Sequence, residues 1–261
     1  MPRVLLTALL TALPIATAAA AEPLSQQLAK EPPAKLAEAA RQSGDAGRGA
    51  VLFFQPFLGC AKCHDAEAGT QLGPDLAQAG KDATAEHLVE SILAPSKVLK
   101  KGYESVVVIT SDERTITGLV AAESAETLTL VDPAANGKRL VIRKSDIDKR
   151  TASNQSLMPE GLVNSLSDRQ QFLDLARYVL EVAAGGPARA RELRPAVTAL
   201  AIPEYEKQID HAGLIRAWDA KSLRRGEAIY TRVCANCHGT KEQPGSLPTS
   251  PRFAKHAFKN G

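Results

Sequence analysis

The pentapeptide Cys60-Ala61-Lys62-Cys63-His64 constrains this chain more than any other feature, and it returns as Cys234-Ala235-Asn236-Cys237-His238. All four cysteines of the 261-residue sequence lie in these two copies. Two thiols spaced i, i+3 suit a disulfide, a metal clip or a redox dithiol, but none of these explains a histidine that follows both times. On a helical turn, positions i, i+3 and i+4 lie on one side. Both sulfurs can then meet the edge of a flat ligand while the imidazole is aimed at its centre. A haem requires that set, two thioether bonds to its vinyl groups and an imidazole on its iron. A thioredoxin-like dithiol should follow a strand in a βαβ unit, and the preceding LFFQPFLG is not such a context. A single zinc closed by both cysteine pairs would leave the two histidines without a role. The pattern predicts two covalently attached haem c groups, with Cys60, Cys63, Cys234 and Cys237 as attachment residues and His64 and His238 as iron ligands.

The N-terminus bears on compartment. Arg3 precedes an uncharged apolar run that ends in Ala19-Ala20-Ala21, ahead of the polar EPLSQQ. Residues 1–21 read as a secretory signal cleaved after Ala21; Pro14 and the alanine-rich end make the run a poor membrane anchor. No later apolar run approaches the ~18–20 residues needed to cross a bilayer. The expected mature protein is periplasmic or otherwise exported, with no stable membrane insertion. A net charge of +3 with 4 % aromatic residues offers no basis for nucleic-acid binding.

A haem iron takes a second axial ligand. The sequence has two methionines, and Met1 leaves with the signal, so Met158 is the thioether that remains. Met158 sits in the Pro/Gly loop SLMPEGLV rather than on an apolar helical stripe, which favours ligation over core filling.

Along the chain, DAGRGAVLFF (45–54) reads as a helix leading to the first motif, and ATAEHLVESILAPS carries Leu88, Val89, Ile92 and Leu93 at helical spacing before Pro95 stops it. From Tyr103 the period changes. SVVVIT, TITGLV, TLTLV and RLVIR predict a four-stranded antiparallel sheet inserted at 103–150, with a hairpin turn at Asn136-Gly137. DRQQFLDLARYVLEVA (168–183) predicts an amphipathic helix, and 184–215 reads as a linker. Leu223 to Tyr230 then echoes Gly47 to Phe53 ahead of the second motif, so 216–261 reads as a second module. It has no methionine loop and no closing helix after His238, as in a truncated frame.

AVLFFQPFLGCAKCH, LGPDLAQAG, VESILAPSKVLKKGYESVVVITSDERTITGLV, SLMPEGLV and FLDLARYVLE resemble, in that order, the planctomycete-type haem-binding cytochrome c domain over about 45–183. RRGEAIYTRVCANCHGT looks like the start of an ordinary class I cytochrome c. The resemblance implies a mainly α cytochrome c fold with a small antiparallel β-sheet inserted, followed by an incomplete second cytochrome c-like module. It implies His64 as proximal ligand, Met158 as distal ligand and Pro74 as the residue whose carbonyl accepts from His64 Nδ1. Family members are often fused to dehydrogenase-like domains, so such an enzyme would here be a separate partner.

The resulting expectation is an electron carrier without substrate chemistry that exchanges electrons with redox protein partners, a dehydrogenase or another cytochrome. A dihaem peroxidase would need an open iron with an acid/base pair nearby, and CANCH offers no clear pair. A haem-based sensor would need a small ligand to displace Met158. His256 reads as a solvated side chain, with distal ligation of the second iron as the sharper alternative, and His87 and His211 read as side chains without a ligand role. Lys97, Lys100, Lys101, Arg143, Lys144, Lys149 and Arg150 add positive charge around the insertion, a solvated face or a docking surface for an acidic partner.

Overall fold

The computed structural model describes residues 22–65, 67, 69–70, 72–80, 83–200, 208–245, 252–253 and 255. The expected signal at 1–21 and the candidate ligand His256 lie outside them.

Helix α1 (Leu24–Leu28) and α2 (Pro33–Ser43) open the described chain, and Pro33, with no N–H to lose, starts α2. Helix α3 (Ala46–Phe54) begins where the Asp45 carboxylate accepts from the Arg48 N–H at 2.7 Å. Helix α4 (Cys60–His64) is the first motif itself. Thr84 caps α5 (Ala85–Leu93), and Asp168 caps α6 (Arg169–Glu192). The apolar stripes of these helices meet in one core that contains Leu28, Leu36, Phe53, Val89, Phe172 and Tyr178. Glycine permits the closest crossing: a Cβ on Gly49 of α3 would lie 1.9 Å from the Asp174 carbonyl of α6.

Packing extends past both expected edges of the 45–183 unit. Leu24, Leu28, Leu36, Ala37 and Ala40, from before residue 45, are buried in the same core. At the other end the expected linker starts as helix. The chain breaks geometry at Gly186 (φ 65°), ahead of Pro187, yet helical turns resume to Glu192. Charge pairing holds that extension down. Glu181 accepts from Arg177 at 2.6 Å and also from Arg189, and Arg194 reaches Asp65 at 2.9 Å while its guanidinium lies 4.8 Å over the Phe54 ring. Glycine and proline marked a real break, but the arginines beyond it carry the chain back onto the body. Two short helices, α7 (Val197–Leu200) and α8 (His211–Arg216), also occupy the expected linker.

The insertion has five strands rather than the expected four: β1 (Ser105–Thr110), β2 (Thr115–Glu123), β3 (Thr127–Asp132), β4 (Lys138–Arg143) and β5 (Ile147–Ala152). All pairings are antiparallel, in the order β4-β3-β2-β1-β5. The fifth strand, IDKRTA, escaped the periodicity because it is an exposed edge rich in polar residues. A flat sheet would set β4 and β5 roughly 19 Å apart. They are joined only by the single 3₁₀ turn Lys144–Asp146, which spans under about 10 Å. The sheet must therefore curl, and Val106, Val108, Leu128, Leu130 and Ile142 fill its inside. At the β3–β4 hairpin Asn136 (φ 55°) and Gly137 (φ 77°) both take the left-handed conformation, as the sequence predicts there.

Helix α9 (Ala220–Ile229), a widened turn over Tyr230–Cys234 and α10 (Ala235–His238) follow. None of the three has a fully buried residue.

Candidate functional site

Gly59 in the left-handed conformation (φ 68°) turns the chain into α4, so that Cys60, Cys63 and His64 occupy one short helix. Its two thiols are held by different layers. Cys60 packs against the helical core, and Cys63 packs against a second cluster of Leu72, Leu119 and Val131, which Tyr103 and Leu157 also flank. Burial pushes the Cys60 thiol up to about 12, and burial also raises the Cys63 thiol against a smaller opposing pull from Lys62. Such sulfurs resist becoming thiolates but lose nothing as uncharged thioethers.

His64 Nδ1 lies 2.9 Å from the Pro74 carbonyl oxygen. A carbonyl only accepts, so Nδ1 carries the proton and Nε2 keeps its lone pair. Burial lowers the imidazole pKa, with the Pro74 bond pulling the other way, and the neutral ring is the form that ligates a metal. Gly73 allows this approach, because a Cβ there would lie 2.9 Å from His64 Cε1. After Pro74, the Asp75 carboxylate accepts from Ala77 N–H at 2.9 Å and starts the 3₁₀ turn Leu76–Gln78.

The β insertion braces this motif at two points. Leu119 of β2 and Val131 of β3 pack against Leu72 and the Cys63 side chain. At the hairpin tip Gly137 lies so close to Thr70 that a Cβ would come within 2.5 Å of the Thr70 carbonyl, and Thr70 Oγ1 donates to the Lys62 carbonyl at 2.5 Å. Sequence reasoning missed Leu119, Val131, Tyr103 and Leu157 as walls of the site. The available signal was TLTLV, where Leu130 and Val131 are adjacent and both apolar. Neighbours on a strand face opposite sides, so both faces of β3 are covered.

Met158 is half-buried in a loop tied down by a chain of hydrogen bonds. Its N–H donates to Ser156 Oγ at 3.1 Å, the Ser156 N–H donates to Ser96 Oγ at 3.2 Å, and the Ser96 N–H donates to Glu160 at 3.3 Å. Its neighbour Leu157 shares the apolar cluster of Cys63, which brings this loop to the first motif.

The second copy is built differently. Cys234 ends the widened turn, while Cys237 and His238 lie on α10. Tyr230 donates its hydroxyl hydrogen to the Gly239 carbonyl at 2.7 Å, and the His238 ring stacks on Phe253 with centroids 4.0 Å apart. Burial raises the Cys237 thiol, as at the first motif.

All four cysteines are free thiols, and no cluster of His, Cys, Asp or Glu among the described residues could hold a bare metal ion. Desolvated neutral sulfurs beside a neutral imidazole fit a covalently attached haem, which brings its own iron. The basic patch is weaker than its sequence suggests. Lys97 pairs with Glu90 at 2.5 Å, Arg143 with Asp146 at 3.0 Å, and Glu123 takes both Lys144 at 2.7 Å and Arg150 at 2.9 Å. His87 and His211 fall in the first turns of α5 and α8. No described helix is long and apolar enough to cross a membrane.

Residues 209–244 match the model of the Cytochrome C1 family, a stretch that holds α8, α9 and the second motif. No curated protein matches the chain. The match supports a cytochrome c-type haem-binding domain with covalently bound haem c and a role in electron transfer.

Proposed function

We propose that this chain is an exported dihaem c-type cytochrome that carries electrons between redox protein partners and performs no substrate chemistry of its own. The observation that carries the proposal is the His64 imidazole, bonded through Nδ1 to the Pro74 carbonyl at 2.9 Å and set in one helical turn with two desolvated thiols. Cys60 and Cys63 would hold one haem c, with His64 and Met158 on its iron. Cys234 and Cys237 would hold another, with His238 as ligand. The bound group supplies one-electron chemistry by cycling between ferrous and ferric iron.

The protein's own residues orient and shield. Pro74 holds the ring of His64 in one tautomer and one orientation, which raises the basicity of Nε2. Leu72, Leu119 and Val131 give Cys63 an apolar neighbourhood. The bonds among Ser96, Ser156 and the Met158 N–H hold in place the loop that would present Met158.

Intact mass and pyridine haemochrome of the protein from its own host, followed by carbon monoxide titration of the reduced form at neutral pH, test this reading. Two haems per chain and a first iron that does not bind carbon monoxide are expected. Peroxide turnover at an open second iron would favour a dihaem peroxidase. Ready carbon monoxide binding in place of Met158 would favour a sensor, and one haem or none would overturn the dihaem assignment.

A further inference from the structure

The second motif lies against the loop that carries Met158. Gly161, three positions after Met158, takes the left-handed conformation (φ 70°). A Cβ built on it would lie 3.2 Å from Asn236 Cγ and 3.1 Å from Asn164 Nδ2. Asn236 is the residue immediately before Cys237 and two before His238, inside the second Cys-x-x-Cys-His. The segment after Gly161 (Leu162–Ser165) also meets the widened turn Tyr230–Cys234 that leads to the first cysteine of that motif. Asn164 anchors the seam to the body: it is buried, and its Oδ1 accepts from the Ser25 N–H of α1 at 2.8 Å. Three peptide steps carry the chain no more than about 11 Å from the Met158 Cα to the Gly161 Cα. The proposed distal ligand of one iron and the residue next to Cys237, a proposed anchor of the other, are thus separated by one short loop and one close approach at Gly161.

Resting on the dihaem reading above, we propose that the two haem sites form one coupled pair, joined at the Gly161–Asn236 seam, and exchange electrons inside a single molecule. In a half-reduced chain one electron passes from the ferrous to the ferric centre. One iron is oxidised as the other is reduced, no proton or atom is transferred, and the electron supplied from outside comes from a redox protein partner.

The position of Asn236 makes the seam testable without disturbing attachment, because neither residue between the two cysteines forms a thioether. The holoprotein, with two haems first established by pyridine haemochrome, would be partly reduced by a light pulse. The redistribution of absorbance between the two haems would then be followed at several protein concentrations. The expected result is a phase whose rate does not change with protein concentration. Asn236→Trp, whose indole must push the Gly161 loop away, should slow or abolish that phase while both haems stay attached. Gly161→Ala, which strains a left-handed residue and crowds the same contact, should act alike. Carbon monoxide binding to the reduced first site should also rise in both variants as the Met158 loop loosens, a readout separate from electron transfer. Circular dichroism of each variant separates a shifted loop from a chain that failed to fold. Two haems that equilibrate only through collisions between molecules would overturn the inference and leave the dihaem reading intact. An Asn236→Trp protein identical to its parent in both readouts would overturn the role of the seam. A chain that carries one haem would overturn the dihaem reading itself.

Discussion

The same Cys-x-x-Cys-His pentapeptide stands in two surroundings. The first copy is wedged between a helical core and a curled sheet, with one thiol on each. The second is approached by helices with no fully buried residue, and Leu214, Ile215, Trp218, Leu223 and Ile229 are all more than half exposed. Local chemistry is repeated and its support is not. On the proposed dihaem reading, covalent attachment lets both serve one cofactor: two thioether bonds would hold a haem where packing alone would not. What packing adds at the first copy is a fixed histidine tautomer, apolar neighbours for both sulfurs and a hydrogen-bonded loop that holds Met158, the proposed second ligand.

Perturbing each region should separate these contributions. Phe172→Ala empties the fully buried centre of the helical core and should destabilise the first unit by about 3–5 kcal/mol in denaturant unfolding. A smaller loss there would mean that the sheet, not the helical core, carries the first motif. Leu119→Ala removes part of the wall beside Cys63 and should cost about 2–3 kcal/mol. It should also broaden the spectrum of the first haem and leave that of the second unchanged. Equal changes at both would erase the distinction between the sites.

Asp174 supplies a pH signature for the first unit. Burial alone would raise its pKa, but bonds from Arg48, the Asp45 N–H and Gln170 outweigh burial and hold the carboxyl below its ordinary 3.8. A depressed folded-state pKa gives stability that is present above the unfolded value and is lost as pH falls through the folded one. The loss should therefore set in below about pH 4. Asp174→Asn should remove this acid sensitivity and cost about 1–3 kcal/mol at neutral pH, because charge-assisted partners are lost. Unchanged acid sensitivity in that variant would assign it to other carboxylates.

Effects in the second region should be smaller. Phe253→Leu deletes the ring stacked on His238 and should cost about 0.5–1.5 kcal/mol, seen as faster amide exchange over 230–245 and not over 45–65. Trp218→Ala should change stability by less than about 0.5 kcal/mol, since the indole is 58 % exposed. A large loss for Trp218→Ala would show that this helical stretch is covered in the intact protein.

Much of the first site was legible because its signals are local. The motif spacing, the helices around 45–54, 85–93 and 169–183 and the hairpin at Asn136-Gly137 each follow from residues within one or two turns of each other. The fifth strand was not, since IDKRTA pairs as an exposed edge and has no apolar alternation to announce it. Arg189 and Arg194 fell in a Gly/Pro-marked linker because their partners, Glu181, Asp65 and Phe54, lie elsewhere in the chain or eight residues back along a broken helix.

By itself the sequence determined the chemistry offered: four cysteines, two following histidines, and one methionine beyond the first residue. Only the tertiary structure decided that the inserted sheet packs on the cluster beside Cys63 and that Asn236 rests on the loop after Met158, whereas the Pro74 carbonyl at His64 Nδ1 is the contact that the family resemblance implies. Attachment motifs are read within one helical turn, whereas walls and seams come from residues tens of positions apart. Their meeting depends on how the whole chain buries its apolar faces.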